Sequence, residues 1–507
     1  MLIGIDLGTT FSLSATIGRN GEPILLPDNS NNDLFHTPSA VYIEGETAYI
    51  GNIIEARLEQ NPGLPVIRFF KRQFGEKKPL YIDSDQTPWY PESLAALILK
   101  KLRIDAETYT SQTVEGAVIT VPAHFNDLQR KCILNAATLI ELPVIGLLEE
   151  PIAAAMHYGI THKKYDKTIL VYDLGGGTFD VTALTMNPKG VFVMAKDGIT
   201  DLGGKEFDEK IGELILEQFK DELGFDVALD ARSLLHLRYI SEEIKIELSI
   251  PGTTFIDKVC VLGKHTLEVH ISRKEFEKAI APLIEQTEEV LKRCIKSIGI
   301  ETSDVDSIIL VGGSSMVPLI KKRLKILFPS KNQEIHSHEP MKAVTYGAAL
   351  HAIQLSGKKV DYEIPPELRG VTGYNLGIRA MNPNTGRVII DNLVKKNMPL
   401  PSVNEKTYYT TSPDQKRMRL EIIQYISKGV EEQSLGHLII GPLPSNEANY
   451  PIKVKIENRI DGTVWFKAID PKTGMEIEKV FGDEDSPGAS LPRQKALVNS
   501  TIIIGSV

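Results

Sequence analysis

Two aspartates in this sequence each close an apolar run and open a glycine-containing turn. The longer turn reads Asp173-Leu174-Gly175-Gly176-Gly177-Thr178-Phe179-Asp180 and follows the β-rich run from Ile169 to Tyr172. Consecutive glycines lower the barrier to positive φ and let backbone N–H groups converge on one point, which is what an anionic phosphate needs. Asp173 stands where Mg²⁺ on such a phosphate could be met through water. The other turn reads Asp6-Leu7-Gly8-Thr9-Thr10, between the run Leu2 to Ile5 and a second β-like run from Phe11 to Ile17. A single Gly-rich turn between strands usually binds nothing. Two hairpins of the same wording, far apart in the chain, point to duplicated lobes facing each other across a nucleotide. Each lobe would supply one phosphate loop and one metal-side carboxylate.

Several elements must position these turns. Residues Glu92 to Thr108 repeat apolar positions with helical period, and the helix after the N-cap pair Asn126-Asp127 runs to about Leu139. Gly116 to Val121 reads as a strand stopped by Pro122. Residues 235–249 read as a charged helix with acid–base pairs three and four apart. The stretch Ser272 to Ile298 opens with a Ser272/Glu275 capping box and stops at Gly299. Gly312-Gly313-Ser314 follows the strand Ile308 to Val311, and Met341 to Leu355 is a further helix.

With 507 residues the chain exceeds one core. A net charge of −9 argues against a nucleic-acid partner. Three widely spaced cysteines, Cys132, Cys260 and Cys294, form neither a disulfide framework nor a metal-ligand pair, so a reducing cytoplasm is expected. Met1 leads straight into the first strand without a basic leader, and no apolar run reaches the roughly 20 residues of a membrane helix. A soluble cytoplasmic monomer with no membrane contact is the expectation.

The two turns resemble the phosphate loops of the actin, hexokinase and Hsp70 ATPase superfamily, in the wording of the Hsp70 chaperones. The resemblance extends to Val121-Pro122-Ala123-His124-Phe125-Asn126-Asp127, Glu150-Pro151-Ile152-Ala153-Ala154-Ala155, Leu202-Gly203-Gly204-Lys205-Glu206-Phe207-Asp208 and Leu310-Val311-Gly312-Gly313-Ser314. It covers residue 1 to about 355, and more weakly about 370–481. It implies an α/β actin-like ATPase domain of two ribonuclease H-like lobes over 1–355, a linker over 356–369, an all-β sandwich substrate-binding domain over 370–481 and a short tail without a lid over 482–507. It further implies ATP/ADP and Mg²⁺, with K⁺ as a further ion. Lys71, Glu150, Asp173, Thr178 and Asp180 match the hydrolytic positions, and Asp6, Glu150 and Asp173 the metal shell through water. Gly8, Thr9, Thr10, Phe11, Gly175, Gly176, Gly177, Gly203 and Gly204 match phosphate contacts. Glu242, Lys245, Ser249, Gly312, Gly313 and Ser314 match adenosine contacts, and Pro122 and Arg130 an allosteric switch and relay.

The chain also departs from that family. Met316 stands where an arginine stacks on adenine, which predicts weaker base binding. The linker lacks the family's leucine run, leaving Val360, Ile364 and Leu368 to couple the domains. Gly146 and Glu149 replace an arginine and an asparagine at the J-domain docking site, so poor stimulation by a J-domain co-chaperone is expected. From Gly373 to Phe481 short alternating strands read as a sandwich, with turns at Asn382-Pro383-Asn384, Ser412-Pro413-Asp414 and Asp461-Gly462. Alignment puts Ile390, Thr411, Met418 and Leu420 at the family's peptide cleft, although ordinary core positions would show the same alternation. Partners would be unfolded or extended polypeptide and a nucleotide exchange factor. Without a lid, bound peptide should leave quickly. Two other functions fit the same residues: a nucleotide-binding module without productive turnover, or a small-molecule kinase. The sandwich weighs against the kinase.

Overall fold

The computed structural model describes residues 1–30, 34–76, 78–162, 167–330, 333–337, 339–357, 367–382, 385–426, 432–444, 449–459, 463–480 and 491–505. The apolar strand Leu2–Leu7 pairs antiparallel with Phe11–Ile17 and parallel with Gly116–Val121, so Asp6 arrives at the carboxyl end of a parallel pair. That sheet runs Val144–Glu149, Gly116–Val121, Leu2–Leu7, Phe11–Ile17 and Pro23–Leu26. A second sheet runs Glu334–His336, Ser307–Val311, Lys167–Leu174, Phe179–Asn187 and Gly190–Ile199. In both, two parallel strands flank the first arm of a hairpin and a third antiparallel strand follows its second arm. The same wiring thus occurs twice, once around each glycine turn.

Strands buried on both faces need cover on each side. The helices Pro91–Thr110 and Asp127–Leu139 cover one face of the first sheet. Gly204–Leu223, Ala231–Ser249 and Arg273–Ser297 cover one face of the second. Between the sheets lie Glu150–His162 and Ala343–Leu355, whose alanines share a buried cluster with Val118 of one sheet and Ile169 and Val171 of the other. The two helices approach so closely that a Cβ on Gly347 would sit 1.9 Å from the Ala153 carbonyl oxygen. The caps are those the sequence signals: Asn126 accepts from the Gln129 N–H, Ser272 from that of Glu275.

Residues 375–480 contribute two four-stranded antiparallel sheets. One holds Asn375–Met381, Val388–Val394, Met418–Tyr425 and Gln433–Ile440. The other holds Ser402–Tyr409, Pro451–Asn458, Val464–Ile469 and Glu476–Val480. Strand Pro451–Asn458 alternates buried and half-buried positions, as one face turned inward demands. The turn at Ser412-Pro413-Asp414 is present, whereas Asp461-Gly462 and most of Asn382-Pro383-Asn384 lie outside the described residues.

Both flanks of the sandwich do more than the sequence suggests. Val360 and Ile364 lie outside the described residues, but Glu367–Arg369 adds a parallel strand to the second sheet, with Leu368 opposite Val191. Beyond 481–490, also outside the described residues, the tail forms the helix Leu491–Ser500 and the strand Ile502–Ile504, which pairs with Thr47–Ile50 in the first lobe. Val498 is fully buried in that lobe's core. The fully buried Lys101 Nζ donates to Asp28 Oδ1, Asp105 Oδ2 and the Gly505 carbonyl oxygen at 2.8, 2.5 and 2.6 Å. No helix among the described residues is long and apolar enough to cross a membrane.

Candidate active site

The floor of the cleft is assembled from both lobes. Asp6 and Asp173 are each the last residue but one of their strands, Leu2–Leu7 and Lys167–Leu174, and Glu150 is the first residue of the helix between the sheets. Lys71 sits in the 3₁₀ turn Phe70–Gln73, where its Nζ donates to Glu150 Oε1 at 2.9 Å with both side chains largely buried. Burial, then the Glu150 charge, raises Asp6 to about 7, against the opposing pull of Lys71 and a Thr120 hydroxyl 3.2 Å away. Burial and the charges of Glu150, Asp180 and Asp6 push Asp173 well above the carboxylate range. Three crowded carboxylates facing the Lys71 ammonium fit a hard divalent cation. Among the described residues no three acids, imidazoles or thiols converge as a direct ligand set.

The two glycine turns touch above this floor. A Cβ on Gly176 would lie 1.9 Å from Thr10 Oγ1, and one on Gly177 would lie 2.6 Å from Thr9 Cγ2, so only glycine allows the contact. Thr10 Oγ1 is buried without a hydrogen-bond partner among the described residues, a polar group left for a ligand. Thr178 closes the second turn by accepting from the Gly175 N–H at 3.2 Å. Gly8 is tied down by the Ser39 hydroxyl, which donates to its carbonyl at 2.7 Å. The helix after Gly203 locks onto the same turn, with the Gly204 and Lys205 N–H groups donating to the Gly175 and Gly176 carbonyls at 3.0 Å each.

A crevice of about 860 Å³ opens beside the turns, within the size range of ligand pockets. Its walls bring together Thr10, Phe11, Gly176, Gly204, Glu242, Lys245, Ser249, Gly313, Ser314 and Met316 from the sequence reading. Lys245 Nζ pairs with Asp208 at 2.7 Å, yet burial raises the Asp208 carboxyl to about 7. Ser249 turns its hydroxyl onto the Lys245 carbonyl at 2.7 Å. Gly312 bends away from its strand at φ 79°. Met316 is 54% exposed at the lip and shares the wall with Met341.

Other charges in and around the cleft escaped the sequence reading. Arg72 of the first lobe makes a bidentate pair with Glu206 of the second at 3.0 and 3.1 Å. Glu55 lies 2.6 Å from Arg68 and 3.7 Å from Arg238 across the same opening. Asp180, which the sequence did mark, stands opposite Asp173 in the hairpin, and its pairing with His124 is the part that was missed. Arg72 directly follows Lys71 in the basic run, which was the signal available.

At the base of the lobes, Glu149 Oε1 accepts from Arg130 Nη2 at 2.8 Å and from Lys196 Nζ at 2.6 Å. Burial lowers the Lys196 ammonium although Glu149 opposes the shift. Glu149 is therefore enclosed between two cations rather than displayed on the surface, while Gly146 is half-buried on the same strand. Pro122 is buried at its strand end. The sandwich docks here, with Tyr374 donating to the His124 carbonyl at 2.6 Å, Asn126 to Gln433 at 2.9 Å and the Val464 N–H to Asp127 at 3.2 Å. Of the cleft candidates, Met418 and Leu420 are buried in the sandwich core, Ile390 is half-buried and Thr411 is exposed. A family model described as Hsp70 protein matches residues 2–487.

Proposed function

The chain belongs to the Hsp70 family, and from that premise we propose that it binds ATP between its two lobes, hydrolyses it to ADP and phosphate, and binds unfolded or extended polypeptide through its sandwich. The observation that carries this reading is the floor of Asp6, Glu150 and Asp173 around Lys71, roofed by touching glycine turns from two lobes beside the crevice.

The turns Gly8 to Thr10, Gly175 to Gly177 and Gly203-Gly204 hold the phosphates, while the Gly175, Gly203 and Gly204 N–H groups brace the turns themselves by donating to Thr178, Glu206 and Gly175. Glu242, Lys245 and Ser249 hydrogen-bond the adenosine, while Gly312, Gly313, Ser314 and Met316 approach the base and Phe11 flanks the cleft. When bound through water at Asp6, Glu150 and Asp173, Mg²⁺ supplies charge neutralisation for phosphoryl transfer. Lys71, held by Glu150, orients the attacking water. Thr178 and Asp180 fix the γ-phosphate and that water from the second lobe. Catalysis of this kind is mostly positioning and electrostatic stabilisation.

The ATPase domain would span 1–355 and the peptide-binding domain 370–481, with Pro122 and Arg130 passing nucleotide state to the sandwich. Ile390 and Thr411 are the proposed peptide contacts, Met418 and Leu420 of the same aligned set being packed in the sandwich core, and extended peptide would be held mainly by backbone hydrogen bonds. The protein would work in the cytoplasm as a monomer with a nucleotide exchange factor. The enclosure of Glu149 supports weak J-domain docking. A second reading, a nucleotide-holding module with impaired turnover, is favoured by Met316 at the base site. Single-turnover hydrolysis of Mg·ATP by the full chain decides: release of phosphate supports the ATPase, and binding without release supports the second reading.

A further inference from the structure

His124 lies on the loop after the strand Gly116–Val121, between the cleft and the docked sandwich. Its Nδ1 is 2.6 Å from Asp180 Oδ1, and the two side chains are 11% and 3% exposed. Three neighbours fix it there. Tyr374 Oη pins its carbonyl at 2.6 Å. Phe125 meets its ring edge-on, with centroids 5.6 Å apart. Gly198 leaves the space that the pair occupies, since a Cβ there would come within 3.1 Å of Asp180 Oδ1 and 3.4 Å of His124 Nδ1.

An ionised carboxylate only accepts hydrogen bonds, so the ring nitrogen facing it is a donor, and that contact selects the Nδ1–H form. Nε2 is then the acceptor end; it is buried without a hydrogen-bond partner among the described residues. His124 also lines a cavity of about 260 Å³ with Lys196, Tyr374 and Lys396, which is roomy enough for water. Asp180 faces Asp173 across the hairpin, where like charges repel. A carboxylate in that position needs something to hold its orientation.

We propose that His124 is a positioning residue for hydrolysis: its Nδ1–H holds Asp180 Oδ1, so that the other oxygen, Oδ2, stays directed to the reaction. The inference rests on the reading of Asp180 as a residue beside the attacking water. His124 itself touches no reacting atom; it acts through Asp180.

The test uses the full chain, with single-turnover hydrolysis at saturating Mg·ATP and nucleotide Kd by calorimetry. His124→Leu should slow turnover about tenfold or more, the loss expected for a hydrogen bond to a charged group, with Kd held within about twofold. His124→Asn, which can place an N–H near the Nδ1 position, should recover turnover to within about threefold of wild type. Asp180→Asn should be slow, and adding His124→Leu to it should cost nothing further, because the two act as one unit. Wild-type turnover in His124→Leu, no recovery in His124→Asn, or losses that multiply in the double variant would each overturn the inference alone. A wild type that neither binds nor hydrolyses ATP would overturn the proposed function and this inference with it.

Discussion

Replacing Lys71 by alanine should produce two separable defects. The ammonium is 4% exposed and donates to Glu150 at 2.9 Å, with Asp6 and Asp173 as further acidic neighbours. Removing the cation leaves Glu150 buried without it, and breaking one side of such a pair costs about 3–5 kcal/mol. The nucleotide-free variant should therefore unfold at clearly lower urea. Turnover should fall by about 10²–10³, the loss seen when one preorganised charge or donor is removed from a reacting centre. Combining Lys71→Ala with Glu150→Gln neutralises the stranded carboxylate, so stability should largely return while turnover does not. Urea unfolding followed by fluorescence and quenched single-turnover hydrolysis measure the two effects. Wild-type hydrolysis by Lys71→Ala, or a double variant as unstable as the single one, would refute the reasoning.

Lys101→Met should strand Asp28, Asp105 and the Gly505 carbonyl in the first lobe, cost about 3–5 kcal/mol and expose residues 491–505 to protease; wild-type stability and resistance would contradict this. Met316→Arg should tighten ADP binding by about 0.5–2 kcal/mol through a cation over the base, read by calorimetry; an unchanged Kd would show that the base does not sit there. Asp208 titrates at about 7 in the folded chain because burial outweighs Lys245, so the folded state holds its proton more tightly than the unfolded chain. Its contribution to stability is therefore present at low pH and lost as pH rises from about 4 to 7, at up to about 1.4 kcal/mol per unit. Asp208→Asn should remove that slope, and identical pH–stability curves for variant and wild type would contradict the assignment.

The features that a short window can encode were legible. The twin Asp-Leu-Gly turns need only their own residues and a preceding strand, and both sit at strand ends as their wording requires. The caps at Asn126 and Ser272 are equally local. Charge pairs between distant segments were not legible, because Arg72 and Glu206, or Glu55 and Arg238, carry no shared period and meet only in the folded chain. Glu149 reads as an odd surface charge until Lys196 from the other lobe is placed against it. The tail strand was hidden for a related reason. Ile502-Ile503-Ile504 is a fair strand signal, but its partner Thr47–Ile50 lies at the other end of the chain. Met418 and Leu420 show the limit of alternation, which marks an inward face without saying whether that face is core or cleft.

Titrating nucleotide-free protein with Mg·ATP in a calorimeter probes the cleft most directly. Saturable heat at one nucleotide per chain, greatly reduced when EDTA removes the magnesium, is the predicted result. Absence of heat from folded protein at millimolar Mg·ATP would contradict the claim that the two glycine turns and their acids form a nucleotide site.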